Sequence, residues 1–171
     1  MFSHILVPLD TSTFAEAALP YAESMAEKFG AKITLVSVIE SPLYLTDEFN
    51  VSLQIQDELR SHAVVEARQY LQKMATQLRQ LGHEVAFKVI MGGGVAKKIV
   101  ETAVLVAADA IVMSTHGRSG VGRWLLGSVA DRIIHIATIP IVLVRGGQAA
   151  TIPDLKSATV STLETQVEVR G

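Results

Sequence analysis

Residues 110–135 read AIVMSTHGRSGVGRWLLGSVADRIIH, and three kinds of segment follow one another in that stretch. Residues 110–113 are an apolar, strand-like run. Residues 114–127 form a glycine-bearing loop, STHG, then nine residues, then Gly127 before Ser128. Residues 128–135 have helical spacing. A loop between a buried strand and a helix N-terminus leaves backbone N–H groups free to face an anion. Gly127 lets a phosphate approach the main chain closely, and Ser128 adds a hydroxyl where the helix dipole is positive. The stretch therefore reads as a nucleotide-phosphate cradle, with a simple turn as its plain alternative. Two better-known signatures fail. Gly117 and Gly122 have the spacing of a Walker A loop, but Arg123 and Trp124 stand where Lys and Ser or Thr are needed. Gly120-Val-Gly122 lacks the third glycine of the dinucleotide fingerprint, because Leu125 occupies it.

Outward from this loop, the same strand–helix alternation covers most of the chain. HILVPL (residues 4–9) is a short apolar run ending at Asp10. Residues 13–29 carry alanines and large apolars at helical spacing, with Pro20 predicting a kink and Gly30 a C-cap. KITLVSVI (32–39) is rich in β-branched residues and reads as a strand. Residues 41–54 read as an irregular loop. Residues 57–81 form a long amphipathic helix whose apolar face is predicted to hold Leu59, Val64, Ala67, Leu71, Met74 and Leu78. Strand 84–90, the turn Met91-Gly-Gly-Gly94, helix 95–107, strand 110–113, helix 128–137 and strand 139–145 complete the pattern. Nearly all-apolar strands alternating with helices predict an α/β fold, a doubly wound five-stranded parallel sheet in the order 3-2-1-4-5, with helices on both faces.

Composition agrees with one such domain. The chain has 171 residues, 49% hydrophobic and 19% charged, with a net charge of −2. That charge argues against sequence-independent nucleic-acid binding. With no cysteine, disulfides, thiolate metal sites and thiol catalysis are excluded together. The apolar runs fall short of the roughly 20 residues of a membrane span, and MFSHILVPLD reaches an aspartate too early for an export signal. A cytoplasmic protein is expected. The domain is assigned to residues 1–146. Residues 147–171 are a polar tail, read either as an edge strand over 161–170 or as a disordered end.

In a doubly wound sheet, ligands bind beyond the strand C-termini where the strand order reverses. Strands one and four meet there, which places Asp10 beside Ser114 and Gly117. A carboxylate repels phosphate, so Asp10 would accept from a ribose hydroxyl or help to hold a divalent metal. Capping the first helix is its other reading.

The residues ILVPLD, then STHGRSGVGRWLLGSVADRII and IPIVLVR, resemble the universal stress protein family over residues 1–146. The nucleotide-binding members carry Gly-x2-Gly-x9-Gly-Ser/Thr. Here Gly117, Gly127 and Ser128 stand in register, while Ser114 replaces the first glycine. The resemblance implies an adenine-nucleotide-hydrolase-like fold that binds ATP with Mg²⁺ or Mn²⁺. Pro8 and Asp10 would flank the ribose, and Val38 would meet adenine through its backbone. Met113 and Ser114 would line the pocket near the sugar and phosphates. Gly117, Gly127, Ser128 and Val129 would cradle the phosphate chain, and Gly92 to Gly94 would at most form a wall. It further implies a homodimer pairing the last strand, Ile139 to Val144, across a two-fold axis.

Other residues read more simply. Arg118 and Arg123 could neutralise phosphates but read first as solvated loop cations; His116 could donate to a phosphate or pack on its turn, and Trp124 reads as a plug for the loop rather than a base-stacking platform. The remaining histidines show no metal-ligand spacing, and Ser119 forms no nucleophile elbow, since Val121 replaces the closing glycine. No catalytic residue can be named. The function expected is a dimeric, ATP-binding stress-response switch. A slow ATPase or adenylate hydrolase, and an interaction protein with a decayed pocket, are its rivals.

Overall fold

The computed structural model describes residues 2–40, 53–115 and 126–145. Ten elements follow in order: β1 (His4–Pro8), α1 (Thr13–Glu16), α2 (Leu19–Phe29), β2 (Lys32–Ile39), α3 (Leu53–Gln80), β3 (Val85–Met91), α4 (Val95–Leu105), β4 (Ala110–Ser114), α5 (Ser128–Ile136) and β5 (Ile141–Val144). All strand pairs are parallel, in the order β3-β2-β1-β4-β5. The predicted sheet is the observed one. Gly117, the other residues of 116–125 and the tail 147–171 lie outside the described residues.

The central strand sorts its side chains by the two-residue period of β structure. Ile5 and Val7 face a core shared with Ala22 and Ala26 of α2 and Leu71, Ala75 and Leu78 of α3. Leu6 faces the opposite core, with Ala96, Ile99 and Ala103 of α4 and Ala130 and Ile133 of α5. Ile5, Leu6 and Val7 are fully buried, each worth roughly 1.5–3 kcal/mol. The alanines let the helices lie close to the sheet.

Three local expectations change. The first helix is not one kinked rod but two pieces, α1 and α2, separated at Ala17 and Ala18. Pro20 cannot donate to the carbonyl a turn earlier, so the helix restarts with the proline in its first turn. The cap of α1 is Ser12, whose hydroxyl accepts from Ala15 N–H, and not Asp10. Leu59 does not join the core: it is 55% exposed. With 28 residues, α3 is about 42 Å long at 1.5 Å per residue. That exceeds any strand, so its N-terminal turns run past the strand ends while Leu71, Met74 and Leu78 pack against the sheet.

At the N-terminal ends of the central strands, Asp109 pins β1 to β4. Its Oδ2 accepts from Ser3 N (2.8 Å) and Ser3 Oγ (2.7 Å). Beside it, His4 is buried, with Nε2 2.7 Å from Thr34 Oγ1. Burial, then the Lys32 ammonium, push the His4 pKa below its ordinary value, against weaker upward pulls from the Val106 backbone, Asp109 and Glu84. The unfolded chain therefore binds a proton at His4 more readily than the folded chain does. Its effect on stability is absent above about pH 6.5, and below that pH it destabilises increasingly. Urea midpoints at pH 7.5 and 5.5 should show a smaller acid-side loss in His4→Gln than in the parent. An equal loss would remove His4 from the account.

Candidate nucleotide site

The sheet opens where β1 and β4 part. Their register runs only through Ile5↔Ala110 and Leu6↔Ile111, whereas β1 stays paired with β2 to Pro8↔Val36. Leu9 N–H donates to the Val36 carbonyl at 2.8 Å, so odd residues of β1 point their amides at β2. The amide that Pro8 lacks is the one that would have faced β4. A cavity of about 520 Å³ occupies this parting, within the range of small-ligand sites.

Most of the residues anticipated from sequence meet in its wall. Pro8, Asp10, Val38, Met113, Ser114, Gly127, Ser128 and Val129 all line the cavity. Gly117 lies outside the described residues. Val36 O accepts from Leu9, so Val38 turns its backbone to the same side, past the end of β1. That is the position from which a main-chain group can meet a ligand. Ser114 is buried in β4. Among the described non-glycine residues only Thr11 and Ala107 have positive φ, so serine at 114 needs no left-handed backbone.

The loop base is built differently from expectation. Gly127 N–H donates to the Thr115 carbonyl at 2.8 Å, closing the neck of the loop. It is thus engaged and is not an anion donor. Gly127 is the N-cap of α5 with φ −62, a conformation open to any residue. The first intrahelical bond of α5 runs from Asp131 N to Gly127 O, which leaves the amides of Ser128, Val129 and Ala130 as first-turn donors without intrahelical acceptors. Val129 and Ala130 line the cavity beside Ser128.

Sequence reasoning missed the far wall. Ala63, Glu66 and Ala67 of the overhanging α3 face the cavity, as do Glu40 and, across it, Val95 and Ile99 of α4. The i, i+3, i+4 spacing on α3 carried the signal, but it was absorbed into the helix's apolar face. The glycines 92–94 do not line the cavity. Gly92 (φ 140) and Gly94 (φ 72) shape the turn that sets Val95 in place. Tyr70, one turn below Ala67, donates its hydroxyl to Glu16 Oε1 at 3.1 Å and ties α3 to α1. Burial first, then the Glu16 carboxylate, hold the tyrosine protonated far above its ordinary range.

The family model described as the universal stress protein family matches residues 1–145. The chain is 31% identical to universal stress protein MJ0531 of Methanocaldococcus jannaschii, over 85% of this chain and 83% of that one. The solved structure of MJ0577, from the same organism, superposes with a TM-score of 0.74 at 26% identity, covering 85% and 96% of the two chains. A universal stress protein of Archaeoglobus fulgidus solved in complex with dAMP matches at 22% identity and a TM-score of 0.60, covering 85% and 98%.

Tyr70→Phe should lower the urea midpoint by the equivalent of about 1 kcal/mol at unchanged m, the usual worth of one hydrogen bond at a half-buried site. No change would mean that α1 and α3 are held by apolar contact alone. From the matching model over residues 1–145 and the shared sheet order, the chain belongs to the universal stress protein family.

Proposed function

We propose that the protein binds ATP in the parting between β1 and β4 and acts as a nucleotide-dependent switch in the cytoplasm. The observation that carries this reading is that two unlike groups line one cavity. One is the first-turn amides of α5, where helix geometry and dipole favour phosphate. The other is Asp10, an acceptor suited to sugar hydroxyls, and beyond it the outward backbone of Val38, suited to adenine. A relative in complex with dAMP supports an adenine nucleotide as the ligand class. Among the described residues no group of three His, Cys, Asp or Glu could hold a metal alone. Mg²⁺ or Mn²⁺ would arrive chelated by the phosphates, with Asp10 and Ser128 as lining oxygens able to complete its shell. Gly117 is assigned to the phosphate end through its place in the family motif.

The same reading includes a homodimer through β5. This strand lies at the sheet edge, and Leu143, Ile134 and Ile136 are exposed apolar residues on it and on neighbouring α5. An edge of this kind invites pairing with a second chain. Val144 is buried within its own chain and Val142 packs against the core, so a charge at either would report on folding. Leu143 is the informative position. Leu143→Lys should shift the mass seen by light scattering at micromolar concentration from dimer toward monomer. A parent that is already monomeric there would remove β5 as an interface.

Nucleotide carried through purification, identified by mass spectrometry of the denatured supernatant, is the first expected result. Gly127→Val keeps the amide that closes the loop and its allowed φ, but puts a side chain into the cavity wall. Displacing the phosphates from Ser128 and Val129 costs at least one charge-assisted hydrogen bond, so ATP affinity should fall about ten- to hundredfold by calorimetry. Ser114→Gly should bind as tightly or more tightly. Undiminished affinity in Gly127→Val with the fold intact would refute the phosphate position.

A further inference from the structure

Asp10 does not stand alone in the cavity wall. Its Oδ1 accepts from Ser12 Oγ at 2.6 Å and from Ser12 N at 3.1 Å, so both donors of one residue converge on one oxygen. The same Ser12 hydroxyl accepts from Ala15 N–H at 3.1 Å. Ser12 is thus held at the head of α1 while its proton is aimed at Asp10. Between them, Thr11 has φ 69, a left-handed conformation that is costly for a β-branched residue. That bend folds Ser12 back onto Asp10. Strain of this kind persists only where the surroundings over-determine it, and it clusters at ligand sites. Asp10, Thr11 and Ala15 all line the cavity, and so sit on its wall already locked together.

We propose that Ser12 is a positioning residue that sets the Asp10 carboxylate to read the sugar hydroxyls of the bound nucleotide, so that the site selects a ribose over a sugar lacking those hydroxyls. The inference rests on the nucleotide reading above and adds a discriminating element to it. A carboxylate offers about four acceptor positions. The two Ser12 donors fix the plane of the Asp10 carboxylate. A sugar hydroxyl then meets an acceptor that need not be ordered on binding, and order established in advance is what turns a contact into affinity. Ser12 need not touch the ligand. Its effect passes through Asp10, and sugar selectivity therefore separates this role from a purely structural one. A lost helix cap weakens ATP and its deoxy analogues alike.

The test is calorimetric titration of the full chain with Mg-ATP and with Mg-2′,3′-dideoxy-ATP. The parent should bind ATP about tenfold or more tightly than the dideoxy analogue, the usual effect of a hydrogen bond to a charged group. In Ser12→Ala that ratio should fall at least threefold, and Ser12→Thr, which restores a hydroxyl at an N-cap, should recover it. If Ser12→Ala does not fold, Ser12→Gly keeps the backbone donor and is nearly as good an N-cap; the ratio should fall there too. A folded Ser12→Ala or Ser12→Gly with the parental ratio overturns the proposal. So does a parent that binds both nucleotides equally, which leaves the nucleotide reading standing. A parent that binds neither overturns both.

Discussion

Everything at the site follows from the early parting of β1 from β4. Parallel strands normally continue their hydrogen bonds to the sheet edge, and a gap there would leave buried amides unsatisfied. Pro8 removes the one amide that would have needed a partner on the β4 side. Leu9 closes the other side against Val36. On the β1 side the sheet can then open at its reversal point with no amide of Pro8 or Leu9 left over, and the opening is a cavity. Below it, the core pairs Ile5 and Val7 with one helical layer and Leu6 with the other. The sheet is packed on both faces beneath and open above.

Both walls of the opening are supplied by chain that has just left a strand. From β1 the chain turns through Asp10, strained Thr11 and capping Ser12 into α1. From β4 it passes through the loop whose neck is closed by the Gly127–Thr115 bond, and enters α5 with its first amides on the cavity. One wall presents acceptors and the other presents donors. A ligand with hydroxyls at one point and phosphates at another matches that polarity, and a uniformly anionic or uniformly apolar ligand does not. The third wall, from α3, exists because that helix is longer than the strands beneath it.

The fold was legible because the strands are buried on both sides. Runs such as KITLVSVI and AIVM leave no polar face and so leave few alternatives to a covered parallel sheet. The site was legible where a residue type carries its own reason, as with Pro8, Asp10 and Gly127. What could not be read was pairing between neighbours. The series Asp10 to Thr13 offers several N-caps, and only φ 69 at Thr11 makes Ser12 the cap and turns it onto Asp10. The engagement of the Gly127 amide depends on how the loop closes, which spacing does not encode. Leu59 fits an apolar face by period, but period does not say how far the helix outruns its sheet. The break before Pro20 has the same origin, since a proline permits either a kink or a restart.

In the proposed complex, phosphate meets the first turn of α5 while the nucleoside lies along the parting of β1 and β4. A ¹⁵N-labelled titration with Mg-ATP, following backbone amides, tests this placement. The largest shifts should fall on Ser128, Val129 and Ala130, with Val38 and Ser12 also moving. Little change should appear at Ser3 and Asp109, at the far ends of these strands. Saturable binding with the first-turn amides unmoved, or with the largest shifts at Ser3, would overturn that placement.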